Sequence, residues 1–407
     1  MRRSPLLITL LFTLALAYYV HTPLPDALEE RWKCVLLDVL IRTVGHAAKL
    51  MQWLGFGHHI QNLRWFSVLL EGTPGPDFVP GVKARDETFA GVPVRVYEAS
   101  GGEGGLKRGL LYFHGGGWAL GSAKIGAYEK DCRILSKELN AVVVSVEYRL
   151  YPEVQFPVPY QDCFAAAKHF LSAEVLSRLS VDPERVAVSG DSAGGNLAAA
   201  VSQEISQDSS VKVKFRVQAL IYPALQALDF NTPSYIQNSR GPVLPLSALA
   251  KFWMQYLGVD LSLLDQVLAN HHSSQQQSLL TPELRARFDW TRLLSAKHRQ
   301  NYKPVVADKG LDGILEKIPA LLDVRAFPLL ADAEVLSKCP KAYIMTCEFD
   351  VLRDDGLMYA RRLEDAGVQV TSVHHEAGFH GCFSMAALFE VGKRAQKHYI
   401  NWLLDNL

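Results

Sequence analysis

From Glu87 onward the chain alternates short runs of β-branched and apolar residues with amphipathic stretches. The runs are Val92–Tyr97, Gly109–Phe113, Ala141–Val146, Val186–Ser189, Gln218–Tyr222, Lys341–Thr346 and Val368–His374. Strands that alternate with helices predict an α/β fold, a mostly parallel twisted sheet with helices on both faces. The alternation breaks between Pro223 and roughly Pro340, where Gly241-Pro242, Phe252-Trp253, Trp290 and Tyr302 are scattered. Residues 224–335 are therefore expected to hold an insertion over the carboxyl end of the sheet, with ordinary helices at its flanks. Ahead of the alternating region, Trp32, Leu36, Val39, Leu40, Ala47, Leu50, Met51 and Leu54 recur at three- and four-residue intervals after Pro23-Leu24-Pro25. That spacing predicts one long amphipathic helix, with Asp26 and Glu29 at the spacing of a capping box. Residues 23–86 then form a helical cap segment and residues 87–407 the α/β domain. No internal repeat is found, and the Ser/Gln run Ser273–Ser278 is expected to be a loop.

The first two dozen residues follow a different pattern. Arg2 and Arg3 precede an apolar run from Leu6 to Val20, and no further charge appears before Asp26. At ~1.5 Å per residue, Ser4 to Pro25 can just cross a hydrocarbon layer of ~30 Å. Residues 1–22 read as a membrane-targeting segment, either a retained signal anchor or a signal cleaved near Ala15-Leu16-Ala17. In both cases the positive end stays cytosolic and the body enters the lumen of the secretory pathway.

Composition narrows the function. Forty-two Lys+Arg balance 42 Asp+Glu, and no local basic block offers a match to phosphate, which sets nucleic-acid binding aside. Ordinary apolar and charged fractions of 49% and 21% exclude a disordered chain. The cysteines at 34, 132, 163, 339, 347 and 382 form no CxxC pair and no zinc-ligand spacing, so neither a metal nor an organic cofactor is implied.

The chemistry concentrates at strand ends. Val186–Ser189 runs into Gly190-Asp191-Ser192-Ala193-Gly194 and then into the helix-forming Leu197-Ala198-Ala199-Ala200. A G-x-S-x-G sequence between strand and helix forms a strained turn: small flanking residues let it pass between the two elements while the Ser192 hydroxyl stands exposed at a helix N-terminus. The strand Leu110–Phe113 ends in His114-Gly115-Gly116-Gly117-Trp118, whose backbone amides can converge on an oxyanion. Gly115, Gly116 and Ala193 are the expected donors, with His114 bracing the loop. A serine needs a base and the base a carboxylate. Asp350 follows the strand beginning at Lys341, and His380 lies in the loop Gly378-Phe379-His380-Gly381 after the last strand, so the order is Ser192, Asp350, His380. Asp354 and Asp355 are expected to cap the next helix, which ends at Gly367, and His374 and His375 to stay within the strand.

Together these motifs resemble the hormone-sensitive-lipase-like branch of the α/β-hydrolases, the GDXG carboxylesterases and lipases, over about Glu87 to Leu407. The marks are His114-Gly115-Gly116-Gly117, Glu147-Tyr148-Arg149-Leu150 before Pro152-Glu153, Gly190 to Asn196, Asp350 to Gly356, and Gly378 to Gly381. The opening, with Pro23-Leu24-Pro25-Asp26 and Glu29-Glu30, is similar to that of the arylacetamide deacetylase group within this branch. The resemblance implies Ser192 as nucleophile, Asp350 as acid, His380 as base and the glycine loop as oxyanion hole. It also implies a single-pass type II anchor in the endoplasmic reticulum with a lumenal catalytic domain. Two departures stand out. Ala119 occupies the place of a cysteine common in these relatives, which leaves Cys347 without the disulfide partner the family suggests, and Tyr151 replaces the usual alanine before Pro-Glu. No N-x-S/T acceptor is present, so glycosylation is not expected.

The expected activity is hydrolysis of lipophilic carboxylic esters, or of arylacetamides, through an acyl-enzyme on Ser192. The competing readings are a catalytically inactive protein that binds a hydrophobic ligand on the same fold and a lumenal scaffold.

Overall fold

The computed structural model describes residues 13–14, 17–72, 78–100, 105–274, 277–305, 307, 310 and 318–407. Most of the apolar run Leu6 to Val20 lies outside these residues. Among the described residues no helix is long and apolar enough to cross a membrane.

Eight strands form one sheet in the order β1-β2-β4-β3-β5-β6-β7-β8. They are β1 (Val82–Phe89), β2 (Val92–Ala99), β3 (Lys107–Phe113), β4 (Ala141–Val146), β5 (Val181–Asp191), β6 (Val217–Ile221), β7 (Lys341–Phe349) and β8 (Val370–Phe379). β2 is antiparallel to both β1 and β4, and the remaining pairs are parallel. The fold is that of an α/β hydrolase, as the sequence predicts. Alternation along a strand sends neighbouring residues into different cores. Leu111 and Phe113 of β3, with Val142, Val144 and Val146 of β4, enter one core. Leu110, Tyr112, Ala141 and Val143 enter the other. The first core is closed by helices that include α4 (Val158–Phe170), α5 (Ala193–Gln207), the short α6 (Pro233–Gln237) and α8 (Ala333–Ser337), and α9 (Arg353–Asp365). The second is closed by α3 (Gly126–Glu138) and α10 (Glu390–Asn406).

One strand has no hydrophobic signature. β1 reads Val-Lys-Ala-Arg-Asp-Glu-Thr-Phe, is buried only at its two ends, and forms the sheet edge. Charges on an edge strand block further pairing, and here Arg85 is neutralised across the ladder by Glu98 at 2.7 Å.

The amphipathic helix predicted after Pro25 is present as α1 (Arg31–Trp53), followed by α2 (His59–Glu71). The capping box expected at Asp26 and Glu29 is not formed. α1 starts after Glu30, which has no side-chain cap. Glu29 instead pairs with Arg394, and Glu30 accepts the Glu390 amide at 2.9 Å, so these acids serve the first turn of α10. The capping box that does form is His58 with Gln61, at the start of α2.

Asp354 and Asp355 also differ from expectation. α9 begins at Arg353 without a side-chain cap. The Asp354 carboxylate accepts the Ser234 amide at 2.7 Å, and Asp355 accepts the Leu225 amide at 2.8 Å, so both bind the chain that leaves β6. Arg353 completes this cluster: its buried guanidinium reaches Glu348 at 2.8 Å and Asp354 at 2.9 Å. Removing one partner of a buried ion pair leaves the other charge desolvated and unpaired, at about 3–5 kcal/mol. Arg353→Met should therefore lower the unfolding temperature by many degrees. Arg361→Ala, which breaks the half-exposed pair with Asp365, should cost no more than ~1 kcal/mol. Thermal unfolding of the two variants side by side checks this, and equal shifts would refute it.

Candidate active site

The turn after β5 is strained in the way its sequence requires. Ser192 adopts φ 55° and ψ −119°, a conformation that side chains rarely adopt. Three backbone bonds hold it: the Ser192 amide donates to Ile221 O at 2.9 Å, and the Ser192 carbonyl accepts the amides of Asn196 at 3.0 Å and Ala224 at 3.3 Å. Gly190 and Gly194 let the turn close on the end of β3, since a Cβ on Gly194 would collide with the carbonyls of Phe113 and His114.

β7 ends one residue before Asp350, and β8 one residue before His380. These neighbouring strands deliver both side chains to the serine. His380 Nε2 lies 2.9 Å from Ser192 Oγ, and His380 Nδ1 lies 2.9 Å from Asp350 Oδ2. All three residues are buried. A carboxylate can only accept, so Nδ1 carries the proton and Nε2 is free to accept from the serine hydroxyl. Asp350 is held in turn by the Leu352 amide on Oδ1 at 2.8 Å, while Asn238 Nδ2 donates to the carbonyls of Asp350 and Glu348 at 3.0 and 2.9 Å. The Tyr222 ring packs 4.8 Å from the His380 ring.

The glycine loop departs from expectation at one donor. The Gly115 amide is already committed, to Asp191 Oδ1 at 2.9 Å and to the Tyr128 hydroxyl at 2.9 Å. Gly115 is thus a brace and not an oxyanion donor. The amides of Gly116, Gly117 and Ala193 have no acceptor among the described residues. Gly116 and Gly117, at φ 109° and 61°, form a left-handed stretch continued by Trp118. A Cβ on Gly117 would meet the Phe252 ring at 2.5 Å.

His114 sits under this loop, away from the serine hydroxyl. Its ring stacks on Tyr148 at 4.3 Å, and its carbonyl accepts the Tyr148 hydroxyl at 2.6 Å. Burial lowers its imidazole pKa, keeping it neutral. Asp191 is the residue that sequence reasoning missed. Its buried carboxylate accepts from Tyr112 and Tyr128, each at 3.0 Å, as well as from Gly115, and so locks the serine turn to the glycine loop. Burial pushes its pKa up against those donors. The only available signal was an acid placed beside the nucleophile.

The other histidines are occupied elsewhere. His374 bonds Thr346 at 2.9 Å and Glu348 at 3.0 Å, and His375 stacks on His398. Burial, aided by the neighbouring His398, holds His375 down at about 4. His298, Glu348 and His374 bring potential metal-ligating atoms within 4.8 Å of one another, but the trio contains none of Ser192, Asp350 or His380. Cys347 faces Cys382 with the sulfurs 3.7 Å apart, both thiols free and buried. Tyr151 packs edge-on against His58 of α2 at 5.7 Å.

The roof over the glycine loop comes from the inserted region. In α7 (Leu246–Leu257), Tyr256 stacks flat on Trp118 at 4.3 Å and Trp253 packs on it at 4.4 Å, with Phe252 over Gly117. Aromatic rings thus pack over the glycine loop.

Comparison with known proteins agrees with this geometry. The chain matches the profile of a family described by the alpha/beta hydrolase fold over residues 110–284 and 270–384. It is 49% identical to neutral cholesterol ester hydrolase 1 of Bos taurus, over 100% of both chains. It is 43% identical to arylacetamide deacetylase of Bos taurus, over 98% of both. Among solved structures, a thermostable carboxylesterase cloned from a metagenomic library superposes with a TM-score of 0.63 at 28% identity, covering 86% of this chain and 97% of that one. A bacterial heroin esterase superposes with a TM-score of 0.62 at 27% identity, covering 86% and 92%. Full-length identity to these hydrolases and the shared fold place the chain in one family: it belongs to the hormone-sensitive-lipase-like α/β-hydrolases, and it is an ester hydrolase.

Proposed function

We propose that the protein is a serine carboxylesterase that cleaves lipophilic carboxylic esters through an acyl-enzyme on Ser192. The observation that carries this reading is the pair of 2.9 Å contacts from His380, one to Ser192 Oγ and one to Asp350 Oδ2. In the first half-reaction His380 Nε2 takes the hydroxyl proton as Oγ bonds to the ester carbonyl carbon. The negative charge that develops on the carbonyl oxygen is met by the amides of Gly116 and Ala193, with Gly117 beside them. Collapse breaks the bond to the alcohol, which leaves with the proton from Nε2. Water, deprotonated by the same nitrogen, then releases the acid and restores Ser192. Asp350 fixes the tautomer and stabilises the imidazolium throughout.

The aromatic wall of Trp118, Phe252 and Trp253 favours hydrophobic acyl and alcohol groups. Sterol esters, the class named for the 49% identical relative, and arylacetamides, named for the 43% identical one, are the leading candidates. We assign residues 1–22 as a signal anchor of the endoplasmic reticulum membrane with the body lumenal, on the strength of Arg2 and Arg3 ahead of an uncharged apolar run. The cap then comprises residues 23–86 together with the insertion around 224–335.

Ser192→Ala should abolish covalent labelling by a fluorophosphonate and lower kcat on an aryl ester by roughly 10⁴- to 10⁶-fold; retained labelling would sink the assignment. Asp350→Asn should reduce kcat by about 10⁴-fold, because His380 would present the wrong tautomer. Asp191→Ala should reduce kcat by about 10²-fold with little change in KM, because the glycine-loop amides lose their aim while the nucleophile remains. Fluorophosphonate labelling of that variant should be slow but complete, and a wild-type kcat would show that the brace is dispensable.

A further inference from the structure

The hairpin of α1 and α2 carries an apolar surface that no part of the described chain covers. Trp32, Leu36, Leu40, Leu50 and Leu54 recur along one face of α1 and its end, and Trp65, Val68 and Leu69 continue the face on α2. Trp53 is 80% exposed, and Trp32, Phe56 and Leu69 are each 64% exposed. Scattered exposed apolar residues are ordinary, but a contiguous set with three tryptophans marks an interaction surface. The hairpin itself is firmly built. Asn62 donates to Ala48 O at 3.2 Å across the two helices, and the His59 amide bonds Gln52 at 2.8 Å.

Two further observations say what lies against it. The chain that follows the apolar N-terminal run is tied to α1: Tyr19 bonds Thr43 at 3.1 Å, its ring lies 4.9 Å beneath the Arg42 guanidinium, and Thr22 donates to Asp38 at 2.8 Å. The described end of a segment with the composition of a membrane span, Tyr19 to Thr22, therefore lies against α1. Arg31, Lys33, Asp38, Arg42 and Lys49 on α1 are too many charges for a spanning helix, but they suit one that lies in the interface with its apolar side down. Tryptophan is the residue enriched at that depth. α2 also reaches the glycine loop, as Arg64 donates to the carbonyls of Ala119 at 2.7 Å and Tyr151 and pairs with Glu153. Ala119 directly follows the Gly115-Gly116-Gly117-Trp118 loop.

We propose that the α1–α2 hairpin seats on a lipid bilayer, sets the mouth of the active site against the membrane surface, and so admits esters dissolved in the lipid without passage through water. The substrate half of this inference rests on the ester-hydrolase reading, whereas the docking half stands on the hairpin and its link to the N-terminal segment.

The test uses the full chain reconstituted into phosphatidylcholine vesicles. Brominated phosphatidylcholine should quench a substantial share of the tryptophan fluorescence, since three of the seven tryptophans lie on the exposed face. Replacing Trp32, Trp53 and Trp65 by Phe should remove most of that share. A Trp53→Glu, Phe56→Glu, Leu69→Glu variant should keep turnover of a water-soluble short-chain aryl ester within about twofold. It should lose tenfold or more on a cholesteryl ester carried in the vesicles. Absence of quenching in the parent chain overturns the proposal, whether the face is then covered by the N-terminal segment or by a second copy seen in sedimentation. Equal loss on both esters also overturns it, because it shows a structural role. If the parent turns over neither ester, the hydrolase reading fails while quenching still reports on the docking.

Discussion

Everything in this molecule that bears on chemistry depends on how closely the turn after β5 approaches the end of β3. Ser192 occupies a backbone conformation that costs roughly 1–3 kcal/mol, and it is kept there by bonds to Ile221, Asn196 and Ala224 that belong to two other segments. The approach is possible only because residue 194 has no side chain where the Phe113 and His114 carbonyls pass. Asp191 closes the contact from below, with one carboxylate satisfied by two tyrosines and the Gly115 amide. Nucleophile and glycine loop are therefore a single rigid unit. Such rigidity is what electrostatic stabilisation of a transient charge requires, because the donors are aimed before the charge appears.

The acid and base are positioned by a different principle, the adjacency of two parallel strands. β7 and β8 pair in register from Ala342 with Val370 to Cys347 with His375, and an irregularity then sets Phe349 opposite Phe379, so that the next residue of each is Asp350 and His380. A one-residue slip would turn both side chains to the opposite face. The register is reinforced where the loops leave the sheet, by Asn238 on the Asp350 carbonyl and by the Glu348, Arg353 and Asp354 cluster. The Cys347 and Cys382 thiols pack together under the same two loops. The ion cluster that anchors α9 thus also governs where the Asp350 carboxylate stands.

What could be read from the sequence divides along physical lines. Seven of the eight strands announce themselves through β-branched runs, and the serine turn and the histidine loop through glycines whose spacing the backbone demands. Features fixed by tertiary partners were not legible. β1 carries charges at Lys83, Arg85, Asp86 and Glu87 that suit an edge, so it lacks the pattern that marks a buried strand. Asp26 and Glu29 have the spacing of a capping box, but the nearby start of α10 offers Glu29 and Glu30 stronger partners. Asp354 and Asp355 look like caps because they open a helix, yet the loop after β6 supplies amides that need an acceptor. Gly115 could not be told from Gly116, because the bond to Asp191 that separates them joins residues 76 positions apart.

The roof of the site follows from the same close packing. Trp118 ends the left-handed stretch of the glycine loop and packs on Trp253 and Tyr256 from α7. Any shift of α7 would drag on Trp118 and hence on Gly116 and Gly117. The position of α7 and that of the Gly116 and Gly117 amides are thereby coupled mechanically. Arg64 applies a second constraint at Ala119, the next residue along, from the α1–α2 side. The glycine loop is thus held between α7 on one side and α2 on the other. In such a design binding energy from the remote, apolar parts of a substrate is spent on positioning at the reacting carbonyl.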